Sequence, residues 1–137
     1  MRLKEARLVP ELDVSDLDTS LVFYTQVIGF RILFQRPEER FAYLDLGGAN
    51  LMLEEIAGPG RRFHRALVER PFGRGMNLQI AVSDVDALHG RVLAAGSEVV
   101  IPMEERRYRV DAGSVRQKQF VVADPDGYLL RFCQELD

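Results

Sequence analysis

Apolar and polar residues alternate with period two over several short stretches of this chain and fall at helical spacing over two others. From 75 to 82, Met76, Leu78, Ile80 and Val82 share one parity, while Gly75, Asn77, Gln79 and Ala81 share the other. A strand there has one apolar face and one polar face. Strand-like runs also stand at about 30–36, 41–46 and 50–55, and again at about 98–101, 118–123 and 128–134. Leu17, Leu21 and Tyr24, and later Val85, Leu88 and Val92, form the apolar stripes of two amphipathic helices. By the same parity Leu44, Leu46, Leu51, Leu53, Phe120, Val122, Leu130 and Phe132 are expected under those helices as core.

The order of these elements repeats. Asp13-Val14-Ser15-Asp16-Leu17-Asp18, leading into a helical pattern that ends at Gly29, returns 68 residues later as Ala81-Val82-Ser83-Asp84-Val85-Asp86, with its helix ending at Gly96. In each copy Ser-Asp supplies the side-chain acceptor that a helix N-terminus lacks, and a glycine closes the helix. Gly47-Gly48 in the first half and Asp124-Pro125-Asp126-Gly127 in the second are turns before a last strand. The pattern predicts an α+β fold of two tandem βαβββ modules, residues 8–55 and 75–134, within one domain spanning 1–137. Residues 56–74, with Gly58-Pro59-Gly60 and Pro71-Phe72-Gly73 around a short helix at about 61–69, form the linker.

Composition narrows the partners. Lys and Arg total 18 against 21 Asp and Glu, a net charge of −3, which argues against nucleic acid. Hydrophobic residues make up 47% of the chain, enough for a core, yet no apolar run approaches the ~20 residues that cross a bilayer, so no membrane partner is expected. The lone cysteine, Cys133, forms no bridge within the chain, and a reduced, cytoplasmic setting is expected.

The second parity carries the chemistry. Glu11, Asp13, Phe41, Tyr43, Asp45, Asn50, Met52, Glu54, Asn77, Gln79, Gln119, Val121, Leu129, Arg131 and Cys133 collect on the faces turned away from the helices. An antiparallel sheet can leave such a face to water. Aromatic and apolar groups set among carboxylates and amides, however, match the lining of a small-molecule site. His64, in the linker, and His89, mid-helix, have no spaced partner and read as ordinary histidines. Cys133 has no neighbour that would lower its pKa and reads as strand filling.

The stretches VPELDVSDLDTSLVFYTQVIGF near the start and QFVVADPDGYLLRFCQELD at the end, with the paired modules, resemble the vicinal oxygen chelate superfamily of glyoxalases, bleomycin-resistance proteins and extradiol dioxygenases. Val9-Pro10, Phe23-Tyr24 and the ending DPDGYLLRF are most similar to the bleomycin-resistance branch. The resemblance implies a mixed sheet curled around a cleft and a homodimer. It also implies a small-molecule ligand, either a bleomycin-like glycopeptide or another metabolite. The superfamily's metal-ligand places fall on Val9, Met52, Gly75 and Arg131, which are not donors for a divalent ion, so no metal or other cofactor is expected.

Asp45 and Glu54 beside Phe41 and Tyr43 suit a cationic, flat ligand, and Met52, Asn77, Gln79, Tyr108, Arg109 and Arg131 complete the expected ligand-binding set. Glu104 to Arg109, with Arg116 and Lys118 beyond, reads as a long irregular insert lining the site. Its basic character, with Arg107 and Arg109 beside Arg131, equally suits a carboxylate or phosphate. No catalytic residue is expected in the binding reading. The alternative is a glyoxalase-like or dioxygenase-like enzyme acting on a small carbonyl or anionic metabolite: a metal-dependent lyase or dioxygenase with displaced ligands, or a metal-independent lyase or isomerase with Glu11, Glu54 or Tyr108 as acid or base. Pro10 either hinges the arm 1–9 onto a partner chain or is an ordinary edge-strand proline.

Overall fold

The computed structural model describes residues 6–63 and 67–137. Its contacts divide the chain into two compact units, Met1–Glu69 and Arg70–Asp137, each holding one predicted module. The two predicted modules form two four-stranded mixed sheets, one per unit.

In the first unit β1 (Glu11–Val14) leads into α1 (Leu17–Leu21), which continues as a wider π-helical segment, Val22–Ile28. Then come β2 (Arg31–Arg36), β3 (Phe41–Leu46) and β4 (Ala49–Glu55), in the sheet order β1-β4-β3-β2. Strand β1 begins at Glu11, leaving Val9 and Pro10 just before it. The β1–β4 pair is parallel and the other two pairs are antiparallel. Gly47 and Gly48, with φ of 58° and 97°, make the two-residue turn between β3 and β4, a conformation side chains resist. The predicted helix at 61–69 is not found: residues 61–63 and 67–69 are irregular, and His64 lies outside the described residues. Gly58, Pro59 and Gly60 break the helical pattern there, and Arg62 turns its guanidinium onto backbone carbonyls of 55–61.

The second unit repeats the plan with β5 (Asn77–Ala81), α2 (Val85–Ala94), β6 (Val99–Val110), β7 (Gly113–Ala123) and β8 (Leu129–Leu136), in the order β5-β8-β7-β6. The expected insert at 104–109 is instead regular strand. Residues of β6 pair antiparallel with β7 from Glu104↔Gln119 to Val110↔Gly113 across the two-residue turn Asp111-Ala112. The charges there sit on a hairpin exposed at both faces, where polar residues cost nothing, and Asp111 takes the left-handed φ of 53° that the turn requires. Met76, expected in the core, precedes β5 and is 48% exposed.

Each core lies between helix and sheet. Leu12, Val14, Leu44, Leu51 and Leu53 are buried with Leu17, Tyr24 and Ile28 in the first unit. Ile80, Phe120, Val122, Leu130 and Phe132 are buried with Val85, Leu88 and Val92 in the second. Helix starts are tied alike in both: Asp16 and Asp84 accept first-turn N–H groups. The last strand of each module adds a further acceptor, Glu55 to Leu17 N at 2.9 Å and Gln134 to Val85 N at 3.0 Å. Among the described residues no helix is long and apolar enough to cross a membrane.

Candidate functional site

Strand register decides which side chains meet on the face away from α1. Glu11 lies opposite Met52, Asp13 opposite Glu54, Phe41 opposite Glu54 and Tyr43 opposite Met52. In β2 the register shifts between Ile32 and Phe34, so that Leu33 is an extra residue. Ile32 stands opposite the core residue Leu44, and simple alternation would keep Phe34 and Arg36 on that side. The bulge moves them to the other, opposite Tyr43 and Phe41.

A cavity of about 550 Å³ opens on this face, lined by Glu11, Arg36, Glu39, Phe41, Glu54, Pro59, Gly60, Arg61 and Phe63. Phe34 stacks on Tyr43 with centroids 4.9 Å apart and planes 15° apart. The Arg36 guanidinium lies 4.0 Å over the Phe41 ring and pairs with Glu39 at 2.9 Å. Arg36 is thereby compensated by Glu39, and the other charged groups lining the cavity are Glu11, Glu54 and Arg61.

Glu11 and Glu54 are hydrogen-bonded to each other, and one oxygen from each of Glu11, Asp13 and Glu54 lies within 4.8 Å of the other two. Although Glu11 keeps an exposed edge, burial pushes its carboxyl above the usual glutamate range, and the charges of Glu54 and Asp13 push the same way against Arg36. Glu54 is 7% exposed, with Arg62 4.0 Å away. Gly60 packs against it so closely that a Cβ would overlap the Glu54 carboxylate. Arg62 fixes this wall, donating to the carbonyls of Glu55, Ile56, Gly58, Gly60 and Arg61.

Of the first-unit residues expected to bind ligand, Phe41 and Glu54 line the cavity and Met52 lies half-buried next to Glu11. Tyr43 is 2% exposed beneath Phe34, its hydroxyl donating to Asn50. Asp45 does not join them: it accepts from Asn50 Nδ2 at 2.8 Å and Gly48 N at 3.2 Å and pairs with Arg31, bracing the β3–β4 turn. Arg36, Glu39, Arg61 and Phe63 line the cavity without having been expected there. Glu39 ends a short 3-10 turn, Pro37–Glu39, and residues 59–63 follow irregular backbone, where alternation carries no signal.

The second unit has its own cavity, about 250 Å³, lined by Asn77, Val100, Ile101, Glu104, Arg106, Tyr108, Gln119, Val121, Leu129 and Arg131. Gln119 Nε2 donates to the Tyr108 hydroxyl at 2.7 Å and to Glu104 at 3.2 Å, while its carbonyl accepts from Gln117 at 2.7 Å. Asn77, Tyr108 and Arg131 are thus brought together as expected, and Gln79 joins through Gln117 at 3.3 Å. Arg109 is not: it pairs with Ser114 on the other face of the hairpin and is exposed. Cys133 is buried, and burial raises its thiol pKa, leaving it protonated and inert. His89 sits in α2 with its ring 5.0 Å from Phe120, edge-on.

The sequence profile of the glyoxalase/bleomycin resistance protein/dioxygenase superfamily matches residues 9–132. The chain belongs to this superfamily. A probable lactoylglutathione lyase of Vibrio parahaemolyticus is 26% identical over 136 residues, covering 90% of this chain and 86% of that protein. TioX from Micromonospora sp. ML1 is 29% identical, with a TM-score of 0.70 over 96% of this chain and 99% of that one. A virulence protein of Salmonella typhimurium, 20% identical over 98% of this chain and all of its own (100%), shares the fold with the same TM-score, 0.70.

The four residues that the resemblance puts at the superfamily's metal-ligand places do not fit a divalent ion; the Glu11, Asp13 and Glu54 oxygens are a separate group. At the four corresponding places Val9 offers hydrocarbon, Met52 a half-buried thioether beside Glu11, Gly75 no side chain, and Arg131 a permanent positive charge. A catalytic divalent ion takes about three N, O or S donors, and this set supplies none suited to it.

Proposed function

We propose that this chain is a metal-free binding protein that sequesters a bleomycin-like or other natural-product ligand carrying a positive charge next to a flat ring system. The observation that carries the reading is the first-unit cavity, where Phe41 and Phe63 stand beside the buried Glu54 and its partner Glu11. A carboxylate withheld from water attracts a cation far more strongly than one at the surface, because little solvent screens it. The aromatic walls add about 0.5–1.5 kcal/mol per stacked ring beyond the area they bury. The donor-poor residues at the places where the resemblance puts the superfamily's metal ligands support the metal-free part. The protein acts as a homodimer in this reading.

Calorimetric titration of metal-free protein with copper-loaded bleomycin tests it. Submicromolar binding near one ligand per chain is expected, and Phe41→Ala and Glu54→Gln each weaken it about tenfold, the equivalent of about 1.4 kcal/mol. Absence of heat at several temperatures from a folded protein overturns the bleomycin-like ligand.

A second reading has its own observation. Glu11, its carboxyl raised above the usual glutamate range chiefly by burial, stands beside Glu54 as a candidate acid or base. With the lactoylglutathione lyase relative, this favours a metal-independent lyase or isomerase on a small carbonyl compound. Turnover of the hemithioacetal of methylglyoxal and glutathione, abolished by Glu54→Gln and unaffected by chelators, distinguishes it from sequestration.

A further inference from the structure

We propose that the second-unit cavity is a separate binding site for a small organic carboxylate with an apolar body, and that Arg131 supplies the positive charge that holds it. The Arg131 side chain stands in an unfavourable place. Arg131 stands on β8 between Gln79 of β5 and Val121 of β7, and its Nε is buried with no hydrogen-bond partner. Among the described residues no carboxylate lies within ion-pair distance of it. A buried N–H left unpaired costs free energy, and a guanidinium in a cleft without a counter-charge costs more. A fold retains such a group where something else completes it.

The surroundings define what that is. Arg106 also faces the cavity, but Glu104 lies 4.0 Å from it, so the uncompensated charge is that of Arg131. The Gln119 amide is held in one orientation by Gln117, and it donates to the oxygen of Tyr108. The Tyr108 hydroxyl proton therefore remains available to an acceptor in the cavity. Val100, Ile101, Val121 and Leu129 make the rest of the wall apolar. A cation with a planar donor fork, a hydroxyl donor and an apolar wall select a carboxylate attached to hydrocarbon over a bare inorganic anion. At about 250 Å³ the cavity suits one ring or a short chain.

This does not rest on the first-unit ligand: either site can bind while the other fails. The test is a nitrogen-15 NMR titration of the full chain with sodium benzoate at constant ionic strength, followed by the same titration with inorganic phosphate. The amides of Tyr108, Gln119 and Arg131 are expected to shift saturably with benzoate and not with phosphate. Arg131→Gln weakens binding at least tenfold, and Arg131→Lys, which keeps the charge but loses the fork, falls between. Should Arg131→Gln not fold, Tyr108→Phe serves instead, with at least threefold weaker binding expected. Absence of saturable shifts at these amides, unchanged affinity in the folded variants, or equal binding of phosphate would overturn the proposal.

Discussion

Glu11 holds its proton more tightly in the folded chain than in the unfolded one, because burial and the neighbouring Glu54 and Asp13 disfavour its charge. The consequence for stability follows from linkage. A raised folded pKa favours the folded state fully below the unfolded value, near 4.5, and that contribution is lost as pH rises through the folded pKa. Glu11→Gln, neutral at every pH, is therefore expected to melt higher than the parent at pH 7 and to lose that advantage below about pH 4. Melting curves across that range check it. Arg131 makes a similar point: Arg131→Met removes the unpaired N–H and is expected to raise stability by about 1 kcal/mol in denaturant titrations while abolishing benzoate binding. The approach of Glu11 to Glu54 was legible in the sequence, since both have the parity of neighbouring strands. Arg36 and Phe34 were not, because a single extra residue, Leu33, reverses the alternation that would have placed them. Asp45 has the parity of a cavity residue but is claimed by the turn that follows it, which parity does not see.

Elements with a strong local signal emerged where the pattern put them, and those whose signal lay in charges did not. Leu17 and Val85 begin their helices next to the predicted Asp caps, and β3 runs from Phe41 to Leu46 as read. The β6–β7 hairpin was hidden because Glu104 to Arg109 lacks the apolar alternation that marks a half-buried strand. Its evidence was the tight turn at Asp111. The last turn shows how much one glycine decides. Gly127 has φ of 97°, and a Cβ there would come within 2.6 Å of the Pro71 side chain and 2.8 Å of its Cα. Asp124 accepts from the amides of Asp126 and Tyr128, and Phe72 N donates to Asp126 O, so neither side of the contact yields easily. Gly127→Ala is expected to cost at least about 1 kcal/mol in denaturant titrations.

At the scale of the whole molecule the duplication is carried down to single hydrogen bonds: each module ties its helix start to its own last strand, through Glu55 in one and Gln134 in the other. The two cavities differ, one centred on paired carboxylates and the other on an unpaired guanidinium, so the repeat has kept its scaffold and diverged in chemistry. The homodimer of the proposed function predicts a sedimenting mass twice the 15.6 kDa of the chain at micromolar concentration. A monomer there would confine the ligand to one chain. The outermost strand of the second sheet bears on a different property. Strand β6 runs for 12 residues at the end of its sheet, long enough to template the addition of another chain's strand. Pro102 withholds one donor, two breaks in register bend the edge, and Glu105, Arg106, Arg107 and Arg109 crowd it with exposed charge. Those residues look dispensable to the interior, yet they guard against aggregation: neutralising them would leave a fold of nearly unchanged stability that no longer stays in solution when concentrated.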